Sequence, residues 1–186
     1  MSELDATIRN NTIFPSLVFK DAAIAIEYYK KLFGAVETYK RLVYEGKIVH
    51  AEITIGSSTI MLSDEMHGMK APNPESQDMP VTLYMYADNV DEVFDRATKL
   101  VNGLTITIQY MPETQFYGDR IAAFIDPFGY KWTIATHVKD VSREDAEKHL
   151  PEMMAHAKQE MSGGGDKYML KYYKYKEKYL RLKNIL

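Results

Sequence analysis

One short run of the chain carries side chains that could move a proton. His50 and Glu52 lie two residues apart in IVHAEITI, alternating with the apolar Val49, Ala51 and Ile53. Because successive residues of a strand point to opposite faces, His50 and Glu52 share one face and the apolar residues share the other. Glu52 could orient His50, or either could transfer a proton. The alternative is a solvated pair that keeps an open sheet face polar.

Two aromatic segments offer binding chemistry. Tyr84 and Tyr86 alternate in VTLYMY and could stack on a planar ligand, or simply fill a narrow hollow. Tyr117, Asp119 and Arg120 precede another strand, where Arg120 could hold a carboxylate or phosphate. The simpler interpretation of the Asp119–Arg120 step is a local ion pair on the surface.

The remaining histidines and the single tryptophan suggest no further site. His137 lies at the end of a predicted strand and is assigned to the surface, as are His149 and His156. The latter two are two helical turns apart, about 10 Å, which is too far for one ion. Strand alternation places Trp132 in the core. The chain has no cysteine, P-loop, GxGxxG or GxSxG motif.

Two similar series of elements must position these residues. In the first, Asp21 is the predicted N-cap of a helix that stops at Gly34, and strands are predicted at 13–19, 37–43, 48–55 and 59–63. In the second, Asp88 is the predicted cap of a helix over 89–101, with strands at 81–86, 105–110, 121–125 and 131–136. The two caps are 67 residues apart, and we interpret this as an internal β-α-β-β-β duplication.

These elements predict an α+β fold of paired modules at about 13–63 and 80–137, within a domain over 1–140. The segments PSLVFKDAAIAIEYYKKLFGA, KIVHAEITIGSSTIMLSDE, LYMYADNVDEVFDRA and FYGDRIAAFIDPFGYKWTIATHVKDVS resemble the vicinal oxygen chelate superfamily. This superfamily includes glyoxalase I, bleomycin-resistance proteins and extradiol dioxygenases, and the resemblance is greatest to PhnB-like proteins. It implies half-open barrels, a pocket in each barrel and commonly a homodimer.

The resemblance also implies where a metal would bind. Metalloenzymes of the superfamily use four His or Glu side chains, and the corresponding positions here are Phe14, Met61, Thr82 and Thr133. These side chains are poor ligands for a divalent cation, so we expect no metal and no cofactor. Strand alternation then predicts a pocket with Tyr117 and Arg120 at its rim and a lining of Phe14, Ser16, His50, Glu52, Met61, Ser63, Thr82, Tyr84, Tyr86 and Thr133.

Charge divides the chain into two parts. Residues 166–186 carry seven Lys and Arg against two acidic residues, which leaves 16 basic and 24 acidic residues elsewhere. An acidic body disfavours binding to nucleic acid. The sequence contains no apolar run long enough to span a membrane, and its polar start does not resemble a signal peptide. These features predict a cytoplasmic location.

The C-terminal region is predicted to be an appendage. It comprises a helix over 141–161 with Ser142 as cap, a Gly-rich linker at 162–166, and a basic helix at 167–186. In the last segment Tyr and Leu recur at heptad spacing, which indicates a partner for this face: a protein, either another copy or a different one, or a membrane surface. The alternative is a frayed segment, or one that folds back on the acidic body. This Tyr/Lys-rich end resembles the tails of many giant DNA virus proteins, which would imply a location in the host cytoplasm or virion.

Three functional hypotheses follow. The first is a metal-independent protein that binds a small molecule in its barrel as a homodimer. The second is a lyase, isomerase or dioxygenase-type enzyme that uses His50 and Glu52. The third is an interaction or virion-associated protein that acts through residues 167–186.

Overall fold

The computed structural model describes residues 13–74, 79–99, 103–149 and 151. It contains two modules with the same order of elements. Module 1 comprises β1 (Ser16–Phe19), α1 (Ala22–Phe33), β2 (Val36–Tyr44), β3 (Lys47–Ile55) and β4 (Ser58–Asp64). Module 2 comprises β5 (Thr82–Tyr86), α2 (Val90–Thr98), β6 (Thr107–Thr114), β7 (Asp119–Ile125) and β8 (Lys131–His137). The predicted α+β fold of duplicated β-α-β-β-β units is confirmed.

Helix α1 begins and ends where the sequence predicts. The Asp21 carboxylate accepts a hydrogen bond from the Ile24 backbone N–H at 3.0 Å, which satisfies one free donor of the first turn. Gly34 ends the helix in the left-handed conformation, with φ of 68°. A glycine adopts this conformation without the steric cost that a Cβ atom would add.

The prediction of Asp88 as the second cap is wrong by one residue. Asn89 is the N-cap of α2, and its side-chain oxygen accepts hydrogen bonds from the backbone N–H groups of Asp91 and Glu92. Both Asp and Asn favour this position, so residue type alone does not distinguish them. The cap-to-cap offset is therefore 68, and it aligns the buried Ala22, Ala25 and Ile26 of α1 with Val90, Val93 and Phe94 of α2.

Each module forms its own four-stranded sheet with the same topology. The strand orders are β1-β4-β3-β2 and β5-β8-β7-β6, in which the first pair is parallel and the other pairs are antiparallel. Ser16 lies beside Met61 in module 1, and Tyr84 lies beside Thr133 in module 2. Strand β6 extends well beyond the predicted 105–110, with register shifts against β7.

The end of the fourth strand in each module stabilises the start of the helix. The Asp64 carboxylate accepts hydrogen bonds from the backbone N–H groups of Ala22 at 2.6 Å and Ile48 at 2.7 Å. In module 2, the Thr136 hydroxyl accepts a bond from the Val90 N–H at 2.8 Å and donates to the Ala87 carbonyl at 2.9 Å. In both modules a side chain from the fourth strand accepts a bond from a free N–H group in the first turn of the helix, but the side chain differs.

A buried carboxylate joins the two modules. Asp126 accepts hydrogen bonds from the Tyr29 hydroxyl of α1 at 2.6 Å and from the Trp132 indole N–H of β8 at 3.0 Å. The backbone N–H groups of Phe128 and Tyr130 donate to its other oxygen, both at 2.9 Å. Burial raises the pKa of Asp126 to about 6, although these donors act in the opposite direction. Trp132 is 3% exposed, which confirms its predicted place in the core.

After β8 the chain enters a helical segment at 143–149. The Ser142 hydroxyl accepts a hydrogen bond from the Asp145 backbone N–H at 3.1 Å, as the predicted cap requires. The linker at 162–166 and the basic segment at 167–186 lie outside the described residues. Within the described part of the chain, no helix combines the length and apolar character needed to cross a membrane.

Candidate functional site

The two faces of each sheet differ in character. One face packs under the helices and contains buried apolar residues such as Leu17, Phe19 and Ile53. The opposite face, which we call the open face, carries aromatic and polar side chains. Tyr84 and Tyr86 remain 51% and 63% exposed there, because no element of the described chain covers them. The strand alternation predicted from the sequence explains this division.

On the open face of module 1, the structure brings His50 and Glu52 together. His50 Nε2 lies 3.0 Å from Glu52 Oε1. The Glu52 side chain is only 3% exposed, whereas that of His50 is 31% exposed. The Tyr39 ring meets the His50 ring edge-on, with centroids 5.3 Å apart. A buried carboxylate thus orients an imidazole whose other side remains accessible to a ligand.

A larger polar cluster lies on the open face of module 2. Asp119 is 6% exposed, and its carboxylate accepts a hydrogen bond from the Tyr86 hydroxyl at 2.7 Å. His137 Nδ1 lies 2.8 Å from the other oxygen of Asp119, and His137 Nε2 lies 2.9 Å from Asp140 Oδ1. The Tyr84 ring is 5.5 Å from the Tyr86 ring. We call Tyr84, Tyr86, Asp119 and His137 the Asp119 cluster.

The contacts within the Asp119 cluster shift its ionisation. The hydrogen bonds from His137 and then from Tyr86 lower the pKa of Asp119. The hydrogen bonds to Asp119 and Asp140 raise the pKa of His137. The bond to Asp119 also raises the pKa of Tyr86, and burial followed by the neighbouring Tyr86 raises that of Tyr84 to about 12. The cluster therefore favours an ionised carboxylate, an imidazolium and neutral phenols.

Arg120 has a different partner from the one that the sequence suggested. Its guanidinium forms two hydrogen bonds with the Asp91 carboxylate, both at 2.7 Å. The local pair between Arg120 and Asp119 is therefore a wrong interpretation, because neighbouring residues of β7 point to opposite faces. Arg120 reaches the N-terminus of α2, whereas Asp119 lies on the open face. Tyr117 is 38% exposed, and burial, Tyr84 and Asp119 raise its pKa.

The other predicted pocket residues lie on or next to the paired first and fourth strands of each sheet. Met61 and Thr133 are half-buried on the fourth strands, Ser63 is nearly buried, and Ser16 and Thr82 are exposed on the first strands. Phe14 is half-buried just before β1.

The four positions that the sequence resemblance assigns to metal ligands do not suit a divalent cation. Phe14, Met61, Thr82 and Thr133 supply a phenyl ring, a thioether and two hydroxyls, and no carboxylate or imidazole. Among the described residues, no group of three or more His, Asp or Glu side chains is arranged to hold a metal ion. The residues present therefore do not fit the metal that the fold implies.

His137 is exposed, as its assignment to the surface predicts, but sequence reasoning missed its contact with the buried Asp119. The signal was present, since His137 continues the alternation of Lys131, Thr133 and Ala135 along β8. Its partner could not be identified without the register. Antiparallel pairing places Asp119 directly opposite His137. Only this pairing shows that a carboxylate near the start of one strand meets an imidazole at the end of the next.

Comparison with known proteins supports the fold. The family model of the Glyoxalase/Bleomycin resistance protein/Dioxygenase superfamily matches residues 12–134. An uncharacterized protein of Mycobacterium bovis is 38% identical over 135 residues, which covers 70% of this chain and 86% of that protein. A protein of Mycobacterium tuberculosis has the same identity over 77% of its own length.

Two solved structures share this architecture. The crystal structure of TioX from Micromonospora sp. ML1 gives a TM-score of 0.53 at 20% identity, and the match covers 69% of this chain and 100% of TioX. The PhnB protein from Bacillus cereus gives a TM-score of 0.52 at 19% identity, over 68% of this chain and 99% of that protein. At these identities the likeness shows a common fold.

Proposed function

We propose that the chain binds a small organic molecule on its open sheet faces without a metal ion. The chain belongs to the glyoxalase/bleomycin resistance protein/dioxygenase superfamily, whose family model matches residues 12–134. The observation that carries this proposal is the Asp119 cluster. It combines half-exposed tyrosine rings with a buried carboxylate that fixes the hydroxyl group of Tyr86. Small-molecule sites typically join such apolar or aromatic surfaces to a few oriented polar groups.

The metal-independent part of the proposal is supported by the donor set. A binding site for a divalent cation needs several anionic or imidazole ligands, and the corresponding positions offer Met61, Thr82 and Thr133. Binding would then depend on hydrogen bonds and ring contacts.

A homodimer is part of the same proposal. Large hydrophobic side chains remain exposed on the outer strands, including Val36, Leu42, Val43 and Tyr44 of β2 and Val81 next to β5. Strands β2 and β5 are the edge strands of their sheets, and exposed apolar side chains at such edges suit a surface that a partner covers. A second copy of the chain would shield these strands and enclose a ligand on the open faces.

Native mass spectrometry of the full chain and thermal melting test the proposal. We expect a dimer that retains or takes up a small molecule. A metal ion that binds the folded protein raises its melting temperature. We expect no binding, so Zn²⁺, Mn²⁺ or Mg²⁺ added after chelation should leave the melting temperature unchanged. A metal-dependent rise of several degrees would reject metal independence. Failure of any compound in a broad fragment library to bind would reject small-molecule binding.

The His50–Glu52 contact supports a second candidate, an enzyme that transfers a proton. The buried Glu52 fixes the imidazole, which leaves the other ring nitrogen for a substrate. We expect His50→Gln to abolish turnover of a substrate found by screening and to keep the melting temperature. His67→Gln, in an exposed loop, is the matched control. Equal turnover by the His50→Gln and His67→Gln proteins would reject this role.

A further inference from the structure

His137 is held between two carboxylates that differ strongly in exposure. The Asp119 side chain is 8% exposed and that of Asp140 is 104% exposed, whereas that of His137 is 53% exposed. Both ring nitrogens of His137 face a carboxylate oxygen, at 2.8 and 2.9 Å. Both nitrogens can donate only if the ring is an imidazolium, so His137 is a cation whose ring is oriented by the buried Asp119. It is poorly suited to act as a base.

We propose that the Nε2–H of His137 binds the carboxylate of an aromatic ligand, and that Asp140 occupies this position in the free protein. The inference rests on the proposed function, because it names the ligand class of the same open face. A ligand carboxylate would take over the hydrogen bond from His137 Nε2, while the Asp140 side chain turns to solvent. The new hydrogen bond is charge-assisted, as is the one it replaces.

The two carboxylates differ in how easily they can be displaced. Asp119 is buried and also accepts a bond from Tyr86, so removal of its charge would leave both partners unsatisfied. Asp140 is fully exposed, and exposed ion pairs contribute little to stability because solvent screens them. An incoming carboxylate therefore competes with a weakly held side chain and not with the fixed one.

The aromatic part of the ligand follows from the neighbouring strand. The Tyr84 and Tyr86 rings lie 5.5 Å apart, at an interplanar angle of 56°, and both are at least half exposed. The Tyr86 hydroxyl and His137 Nδ1 contact the two oxygens of the same Asp119 carboxylate, so these rings share the open face with His137. A ligand ring could pack on them in the tilted or offset contacts that aromatic pairs favour. The titratable groups in contact with the cation are Asp119 from β7 and Asp140 after β8. Tyr86 and Tyr84 from β5 and Tyr117 from the turn before β7 lie next to Asp119.

Calorimetric titration of the full chain with benzoate and with benzyl alcohol at neutral pH tests this inference. The two probes share the ring and differ in the carboxylate. We expect benzoate to bind more tightly than the alcohol. Asp140→Asn should strengthen benzoate binding up to about fivefold, which is the range for removal of an exposed competing ion pair. His137→Gln should weaken it by about tenfold or more, because a hydrogen bond to a charged group is lost.

A charge-matched control separates this effect from a general change in net charge. Glu45→Gln removes one negative charge in the exposed turn between β2 and β3, and we expect it to leave benzoate binding unchanged. Because Asp140 is exposed, its variant should fold even if the His137 variant does not, so the sign of the Asp140→Asn effect decides the case.

Each result has a defined meaning. Unchanged or weaker benzoate binding by the Asp140→Asn protein overturns the inference, as does equal strengthening by Glu45→Gln. Equal binding of benzyl alcohol and benzoate also overturns it, yet leaves the proposed small-molecule function standing. If neither probe binds, the inference is wrong for aryl carboxylates, and the fragment screen decides the proposed function separately.

Discussion

Asp126 should make the stability of the protein depend on pH in an unusual direction. Burial raises the pKa of this carboxyl group from its ordinary 3.8 to about 6 in the folded protein. The folded state therefore binds the proton more tightly than the unfolded state between these two values. Stability from this group is fully present below the unfolded pKa and is lost as pH rises through the folded pKa.

The size of this effect follows from the difference between the two pKa values. Each pKa unit corresponds to about 1.4 kcal/mol, which gives about 3 kcal/mol over the whole pH range. Between pH 4 and pH 7 the free energy of unfolding should fall by about 2 kcal/mol because of this residue, since part of the change lies below pH 4. Most paired carboxylates have the opposite effect, because their pKa is lowered on folding. The contribution of Asp126 is therefore isolated by comparison with a variant that cannot titrate.

Asp126→Asn is that variant. One amide oxygen can keep the two backbone bonds, from Phe128 and Tyr130, and the Tyr29 hydroxyl can rotate to accept from the amide nitrogen. The Trp132 indole N–H is only a donor, so it would face the amide N–H groups of the new asparagine and lose its hydrogen bond. A buried donor without a partner costs about 1–3 kcal/mol, which is the expected loss at neutral pH.

Urea unfolding followed by fluorescence measures both quantities, because Trp132 is the only tryptophan in the chain and contacts Asp126 directly. We expect the unfolding free energy of the native protein, relative to that of the Asp126→Asn protein, to fall by about 2 kcal/mol from pH 4 to pH 7. The pKa argument is refuted if this difference is constant across the range, or if it grows as pH rises.

Two further pairs of variants and one single variant can be tested by the same unfolding assay. Tyr29→Phe removes the hydroxyl that binds the buried Asp126 carboxylate and should lower the free energy of unfolding by about 1–3 kcal/mol. Tyr28→Phe should have almost no effect, because the Tyr28 hydroxyl has no hydrogen-bond partner among the described residues. Equal losses in the two variants would contradict this reasoning. Asn89→Ala should cost about 1 kcal/mol and Asp88→Ala much less, since Asn89 is the cap; the reverse order would restore the cap predicted from sequence. Gly118→Ala should destabilise by more than about 2 kcal/mol, because φ is +100° and the new methyl group would overlap a backbone carbonyl oxygen after β8; a native-like midpoint would show that this turn can move.

The sequence by itself determined the elements and the faces that they bury. Hydrophobic alternation identified eight strands, and short-range capping chemistry placed α1 between Asp21 and Gly34. These signals are local, because a strand's two-residue period and a helix's first turn depend on near neighbours. The same alternation placed Trp132 in the core and grouped His50 with Glu52, and the structure confirms both placements.

Tertiary structure decided which distant side chains meet. Antiparallel register opposes Asp119 and His137, and helix packing supplies Asp91 as the partner of Arg120. Asp126 lies in the turn between β7 and β8, yet it is buried, because Tyr29 of α1 and Trp132 of β8 contact it. Contacts between residues far apart in the chain depend on register and on the packing of whole elements, and a single sequence records neither.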